Sequence, residues 1–219
     1  MDINYLLEAK RENTELKLRI AELEAQNVAR HAVNRIEGGK GMTTVIFDTE
    51  TTGLLQPMSV PLEKQPRIIE IGAIKIDHTG EIDHISQLIN PGVEISDTIT
   101  KITGIKQEDL TGMPSFFDVM PRLQEFFDGV DLIICHNAPF DTGMMQVEIQ
   151  LSGKEFIMPP QTICTVQEYK PLFGHRPKLT ELYEAIIGKP LMQSHRAIDD
   201  VRALYEVLLE DEFFKQIEL

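Results

Sequence analysis

Residues 43–54 read TTVIFDTETTGL. Val45, Ile46 and Phe47 form an apolar, β-prone run with no charge, which suits a strand buried on both faces. Two carboxylates, Asp48 and Glu50, stand at its end. Side chains alternate along a strand, so residues two apart share a face. The two acids therefore sit side by side at the end of a buried strand, where both ionise with difficulty unless something positive shares them. Two readings stay open on this stretch alone. The acids are either a solvated strand end or oxygen ligands of a divalent cation.

Downstream, residues 56–65 hold Pro57 and Pro61, with Pro66 just beyond, and read as a loop. Residues 67–77 (RIIEIGAIKID) and 81–90 read as two further strands, joined by the turn signal His78-Thr79-Gly80. Three sequential strands with a short turn predict an antiparallel meander. An irregular helical patch follows over 97–110, then a helix over 114–127 that Pro121 should kink or split. Residues 131–135 (DLIIC) read as another buried strand, 138–151 as a helix, 161–164 as a short strand, 178–187 as a helix and 195–217 as a long closing helix. Strands that first meander and then alternate with helices predict an α/β domain with a mixed sheet and helices on both faces.

Two later segments carry acids of interest. In His136-Asn137-Ala138-Pro139-Phe140-Asp141, Pro139 suits the first turn of a helix and places Asp141 in that turn. An acid there either complements the helix dipole or is aimed at the sheet end where Asp48 and Glu50 sit. In Ser194-His195-Arg196-Ala197-Ile198-Asp199-Asp200, helical geometry separates the two aspartates. Ala197, Val201, Leu204 and Leu208 make an apolar stripe with Asp200 beside it. Asp199 falls on the opposite face with Arg202, Glu206 and Glu210, and should be solvated. His195 shares a site with Asp200 only if it lies before the helix, on a loop.

Upstream, residues 2–36 contain neither Gly nor Pro and read as one long helix. Leu6, Asn13, Ile20 and Asn27 fit heptad a positions, and Ala9, Leu16, Leu23 and Arg30 fit d. Asn at a favours a parallel pair, and Glu12 with Lys17 and Arg19 with Glu24 across the pair would attract. The expectation is a parallel homodimeric coiled coil over 1–36, a Gly-rich linker over 37–42 (Gly38, Gly39 and Gly41 around Lys40) and a main domain over 43–219. The linker is not a phosphate-binding loop, because no strand precedes it and no GK[ST] follows.

The formal net charge of −14 argues against a protein that grips long duplexes, since such proteins are usually basic. Residues 1–41 carry seven basic and seven acidic side chains, so the excess belongs to the remainder. Such a domain can still act on nucleic acid if the acids surround cations and contact is limited to a few nucleotides. No apolar run is long enough to cross a bilayer, and no signal-peptide core is visible. Cys135 and Cys164 lack metal-ligand spacing and read as two buried thiols of a reduced, cytoplasmic protein.

In order, FDTETTGL, HNAPFD and HRAIDD resemble the three motifs of the DEDDh family of 3′–5′ exonucleases, members of the ribonuclease H-like superfamily. The resemblance covers about residues 43–210. Ile102-Thr103-Gly104-Ile105 looks like a substrate-side segment of the family; Thr103 stands where some members have His, and in this it is more similar to the exonuclease region of Gram-positive replicative polymerases. The resemblance implies a ribonuclease H-like fold and two Mg²⁺ or Mn²⁺ ions held by Asp48, Glu50, Asp141 and Asp200. It implies His195 as general base. Thr51, Thr52, Gly53 and Leu54 would hold the 3′-terminal nucleotides, with Asn137 and Phe140 contributing; Arg176 and Lys178 are candidate phosphate contacts. The implied substrate is the 3′ end of single-stranded DNA, ahead of RNA or short oligoribonucleotides. The implied setting is a polymerase or another replication or repair partner. An inactive tethering protein built on the coiled coil is the rival of another class.

Overall fold

The computed structural model describes residues 41–192 and 195–213. The coiled-coil helix over 1–36 lies outside the described residues. Five strands form one sheet in the order β3-β2-β1-β4-β5, where β1 is Thr44–Thr51, β2 Ile68–Asp77, β3 Gly80–Leu88, β4 Leu132–Cys135 and β5 Gln161–Cys164. β1, β2 and β3 pair antiparallel, as the meander predicts. β4 runs parallel to β1, and β5 parallel to β4. β1 is therefore the switch between the two halves of the sheet.

The helices are α1 Asp97–Thr103, α2 Gln107–Leu110, α3 Phe116–Phe127, α4 Ala138–Ser152, α5 Thr165–Phe173, α6 Leu179–Ile187 and α7 Ala197–Glu210. Val45, Phe47, Ile71 and Ile133 face one layer and pack with Phe116, Leu123 and Phe127 of α3 and Met144 and Met145 of α4. Ile46, Ile74, Ile76 and Ile134 face the other layer, with Leu182 of α6 and Val201, Leu204 and Leu208 of α7. The alternation along β1 thus sends odd residues to α3 and α4 and even residues to α7.

The structure refines the first of four local readings and corrects the other three. The patch at 97–110 is two short helices, because Gly104 ends α1 in the left-handed conformation (φ 71°) and Lys106 is extended. Pro121 does not split α3; it sits inside a continuous Phe116–Phe127 helix capped by Ser115. Residues 165–173, for which the sequence predicts no element, form α5, with Pro171 in its last turn. The closing helix begins at Ala197 rather than at His195.

Two features of β2 shape the end of β1. The register shifts between Glu50 and Thr51, where β2 carries one extra residue, Ile69. Further along β2, Gly72 lies under the first turn of α7. A Cβ there would overlap backbone atoms of Ala197 and Ile198, so the close approach of helix to strand requires glycine.

Candidate active site

Asp48 and Glu50 leave β1 on the face that α7 covers. One carboxylate oxygen from each of Asp48, Glu50 and Asp200 lies within 4.8 Å of the others. Asp199, its neighbour, is exposed. Asp141 reaches the same strand end from α4 on the other side of the sheet. It is only 2% exposed, and its Oδ1 accepts from the Thr49 backbone N–H (3.0 Å) and from the Thr49 hydroxyl (2.8 Å). Thr49 alternates with the two acids and so points to the α4 side, where it holds Asp141 against β1. Sequence reasoning passed over Thr49; its position between two like-facing acids was the available signal.

The electrostatics of this group are one-sided. Burial pushes Asp48 well above the usual carboxylate range, and the negative charges of Asp141, Glu50, Asp200 and Glu70 push further. Glu50 is pushed up to about 8 by burial first, then by Asp200, Glu70 and Asp141, while Arg196 pulls the other way. Burial lifts Asp141 to about 7 against the opposing hydrogen bonds from Thr49. Carboxylates so placed repel one another until a cation shares them. The donor set is entirely hard oxygen, which fits Mg²⁺ or Mn²⁺ and suits soft thiophilic metals poorly.

His195 lies in the segment just before α7, exposed, with a left-handed backbone (φ 52°). Such a conformation is uncommon outside glycine. His136 is a different case. Its Nε2 donates to the Pro177 carbonyl (3.1 Å), and its Nδ1 faces the Thr165 hydroxyl (3.0 Å). Burial first and Arg176 next hold its pKa below the ordinary value, so the neutral ring ties the end of β4 to the start of α5 and to the chain before α6.

The substrate-side candidates divide. Leu54 is 76% exposed beside the strand end. The Thr51 hydroxyl donates to the Gly53 carbonyl (2.7 Å), and the Thr52 hydroxyl accepts from the Arg67 N–H (2.9 Å). Both threonine hydroxyls therefore shape the turn that presents Gly53 and Leu54. Leu55 packs over Gly143 of α4. Phe140 lies partly buried against the α4 layer of the core. Asn137 is left-handed (φ 75°), and its Oδ1 accepts from Arg176 Nη2 (2.6 Å). The Lys178 N–H caps α6 by donating to Glu181 (2.7 Å). Thr103 is buried: its hydroxyl donates to the Ile99 carbonyl and accepts from the Ile105 N–H. The exposed side chain of that segment is Ile102. Cys135 is buried and Cys164 only half-buried, and both thiols are free.

Residues 45–208 match the exonuclease family model. The chain belongs to the exonuclease family. The exonuclease domain is 34% identical over 164 residues to a PolC-type DNA polymerase III of Clostridium perfringens, a match that takes in 75% of this chain and 11% of that protein. It is 31% identical over 163 residues to a DNA polymerase III epsilon subunit of Treponema pallidum, covering 74% of this chain and 72% of the relative. The chain thus spans about a tenth of the length of the PolC-type relatives it matches. Among solved structures it is similar to the nuclease domain of 3′hExo, a DEDDh family member bound to rAMP (TM-score 0.61, 22% identity, covering 78% of this chain and 93% of that one). It is similar also to exonuclease X in complex with 5′-overhanging duplex DNA (TM-score 0.55, 23% identity, covering 77% and 93%). These two likenesses are of fold, and they agree with the mixed sheet flanked by helices. The family is divalent-metal dependent, in keeping with the cluster of Asp48, Glu50 and Asp200. No helix among the described residues is long and apolar enough to cross a membrane.

Proposed function

We propose that this exonuclease domain hydrolyses phosphodiester bonds from the 3′ end of single-stranded DNA. The observation that carries this reading is the convergence of Asp48, Glu50 and Asp200 on one 4.8 Å cluster, with Asp141 braced beside it by Thr49. In this reading Asp48, Glu50, Asp141 and Asp200 hold two Mg²⁺ or Mn²⁺ ions. Bound there, the metals would supply a nucleophilic hydroxide and stabilise charge at the scissile phosphate and the leaving 3′-oxygen. The imidazole of His195, free of helix geometry on its loop, accepts the proton of the attacking water. The turn at Gly53 presents Leu54 as an apolar wedge against a terminal base, and Phe140 and Asn137 line the approach. Arg176, held by Asn137, offers its charge to a phosphate at the same rim.

DNA is favoured over RNA because relatives of 31–34% identity are DNA polymerase III proteins, and a single strand over a duplex because a chain of net charge −14 suits brief contact with a frayed end better than tracking a duplex. The same relatives support a polymerase partner in the cytoplasm. The heptad pattern over 2–36 supports a parallel homodimer. The test is degradation of 5′-labelled single-stranded DNA and RNA of the same sequence with Mg²⁺. A ladder shortening from the 3′ end of DNA is expected. Preference for RNA would transfer the reading to an RNase, and no cleavage of either by folded protein would leave a binding or tethering role.

A further inference from the structure

Glu70 lies directly across from Glu50 in the β1–β2 pairing. Directly opposed residues share a face of the sheet, and like charges so placed are destabilising. Glu70 is nonetheless fully buried, with 0% exposure. It is not one of the three clustered carboxylates. Its oxygens are committed elsewhere. Arg196 Nη2 donates to Oε1 at 2.6 Å, Arg196 Nε spans both oxygens at 3.0–3.1 Å, and the Ala197 backbone N–H donates to Oε2 at 3.1 Å. One carboxylate thus grips both the last residue before α7 and the first residue within it.

That grip falls where the site is assembled. Arg196 caps α7, and its carbonyl accepts the N–H groups of Asp199 and Asp200 at 2.9 and 3.1 Å. His195 precedes it and carries the left-handed backbone. Two residues along β2 from Glu70, Gly72 lets the same helix turn press onto the strand. The helix end is held by the Glu70 fork and seated on bare backbone at Gly72, two residues apart on the same face of β2. An ordinary tether does not need this: the exposed Arg202–Glu81 pair already ties α7 to β3.

We infer that Glu70 is a positioning residue of the reaction: by clamping Arg196 and Ala197 across the sheet, it sets where Asp200 and His195 stand relative to Asp48 and Glu50. Arg196 supplies an opposing charge, which offsets part of the repulsion that Glu70 exerts on Glu50. The inference rests on the proposed roles of Asp200 and His195.

The experiment compares wild type, Glu70→Gln, Arg196→Lys, the double variant and Arg202→Gln, each as the full chain. Four quantities are read: melting temperature, Mn²⁺ affinity by calorimetry, and kcat and KM on a short 5′-labelled DNA. Partners that orient metal ligands typically change affinity or activity about 10- to 100-fold when removed. A loss of that size is expected in kcat for Glu70→Gln, with KM within about twofold, together with weaker Mn²⁺ binding. Arg196→Lys keeps the charge but loses the fork; it should fold and show an intermediate loss, which keeps the test decisive if Glu70→Gln does not fold. The double variant should be no worse than the poorer single, since the two residues act as one unit. In a His195→Ala background, Glu70→Gln should cost less than in wild type. Arg202→Gln should leave kcat unchanged. Folded variants with wild-type kcat and Mn²⁺ affinity, or losses that multiply in the double variant, would overturn the inference. A wild type that binds Mn²⁺ but cleaves nothing would sink the nuclease reading alone; the Mn²⁺ affinities of the variants would still decide whether Glu70 places Asp200.

Discussion

Asp199 and Asp200 are adjacent and chemically identical, so only their direction separates them. On α7 the apolar stripe turns Asp200 toward β1, and Asp199 is exposed. Asp200→Ala should abolish cleavage. Asp199→Ala should keep kcat/KM within about twofold, since exposed substitutions away from special features usually cost within about 0.5 kcal/mol. Equal loss from both in a steady-state assay would break the facial argument. Thr49 permits a finer test. Thr49→Val keeps the shape and removes one of the two hydrogen bonds that hold Asp141 Oδ1. Losing a buried hydrogen bond to a charged group costs about 1.5–3 kcal/mol, so a fall in kcat of about tenfold or more is expected. Wild-type kcat in the Thr49→Val protein would mean that Asp141 is held well enough by the backbone N–H of residue 49 alone. Asp200 was legible in the sequence because a helix's apolar stripe is a local pattern. Thr49 was not, because its partner Asp141 is 92 residues away and nothing local marks a side chain that props up another.

At the scale of elements, β2 does more than pair with its neighbours. At one end Arg67 makes a bidentate ion pair with Glu148 of α4 (2.8–2.9 Å), and the same carboxylate accepts the Ile68 N–H. Two residues on, Glu70 reaches α7 through Arg196. Each of the two helices that carry a site aspartate is thus joined to β2 by a glutamate–arginine pair on its own face. Glu148 is 1% exposed, and removing one partner of a buried pair typically costs about 3–5 kcal/mol. Arg67 retains partial exposure, so Glu148→Ala should lie near the lower end, read as a drop in urea midpoint. A drop no larger than that of a surface control would show that the pair contributes little. Gly72→Ala tests the other brace. Its Cβ would meet backbone rather than a flexible side chain, so α7 must shift. Overpacking of this kind costs about 1–3 kcal/mol or more, and kcat should fall with stability. The strands and their meander were readable from short apolar runs and the His78-Thr79-Gly80 turn. α5 was not, because nine residues ending around Pro171 give too little periodicity to mark a helix. The two braces join residues 81 and 126 positions apart, beyond any spacing rule.

Over the whole molecule, the site makes the metal-free fold sensitive to pH in a direction opposite to that of most carboxylates. Paired carboxylates usually have folded pKa values below about 4, and they stabilise at neutral pH. Here burial raises Glu50 to about 8 and Asp141 to about 7, and Asp48 also rises. The folded chain then binds protons more tightly than the unfolded one. This stabilising contribution is fully present below about pH 4 and is lost as pH rises through about 8. With a chelator, the melting temperature should therefore fall between about pH 5 and pH 8. General repulsion in a chain of net charge −14 would also lower it, so the comparison that decides is Glu50→Gln. That variant removes one titrating group from the cluster and should flatten the slope, whereas an exposed Glu63→Gln change should not. A divalent cation competes with protons for the same oxygens and binds only the folded cluster. At about a hundredfold above its dissociation constant it would add about 2.7 kcal/mol. The rise produced by Mn²⁺ should therefore grow from about pH 5 to pH 8, as the carboxylates give up their protons. A Mn²⁺ shift independent of pH, or equal slopes for wild type and Glu50→Gln, would show that these carboxylates are not where the folded chain stores its protons.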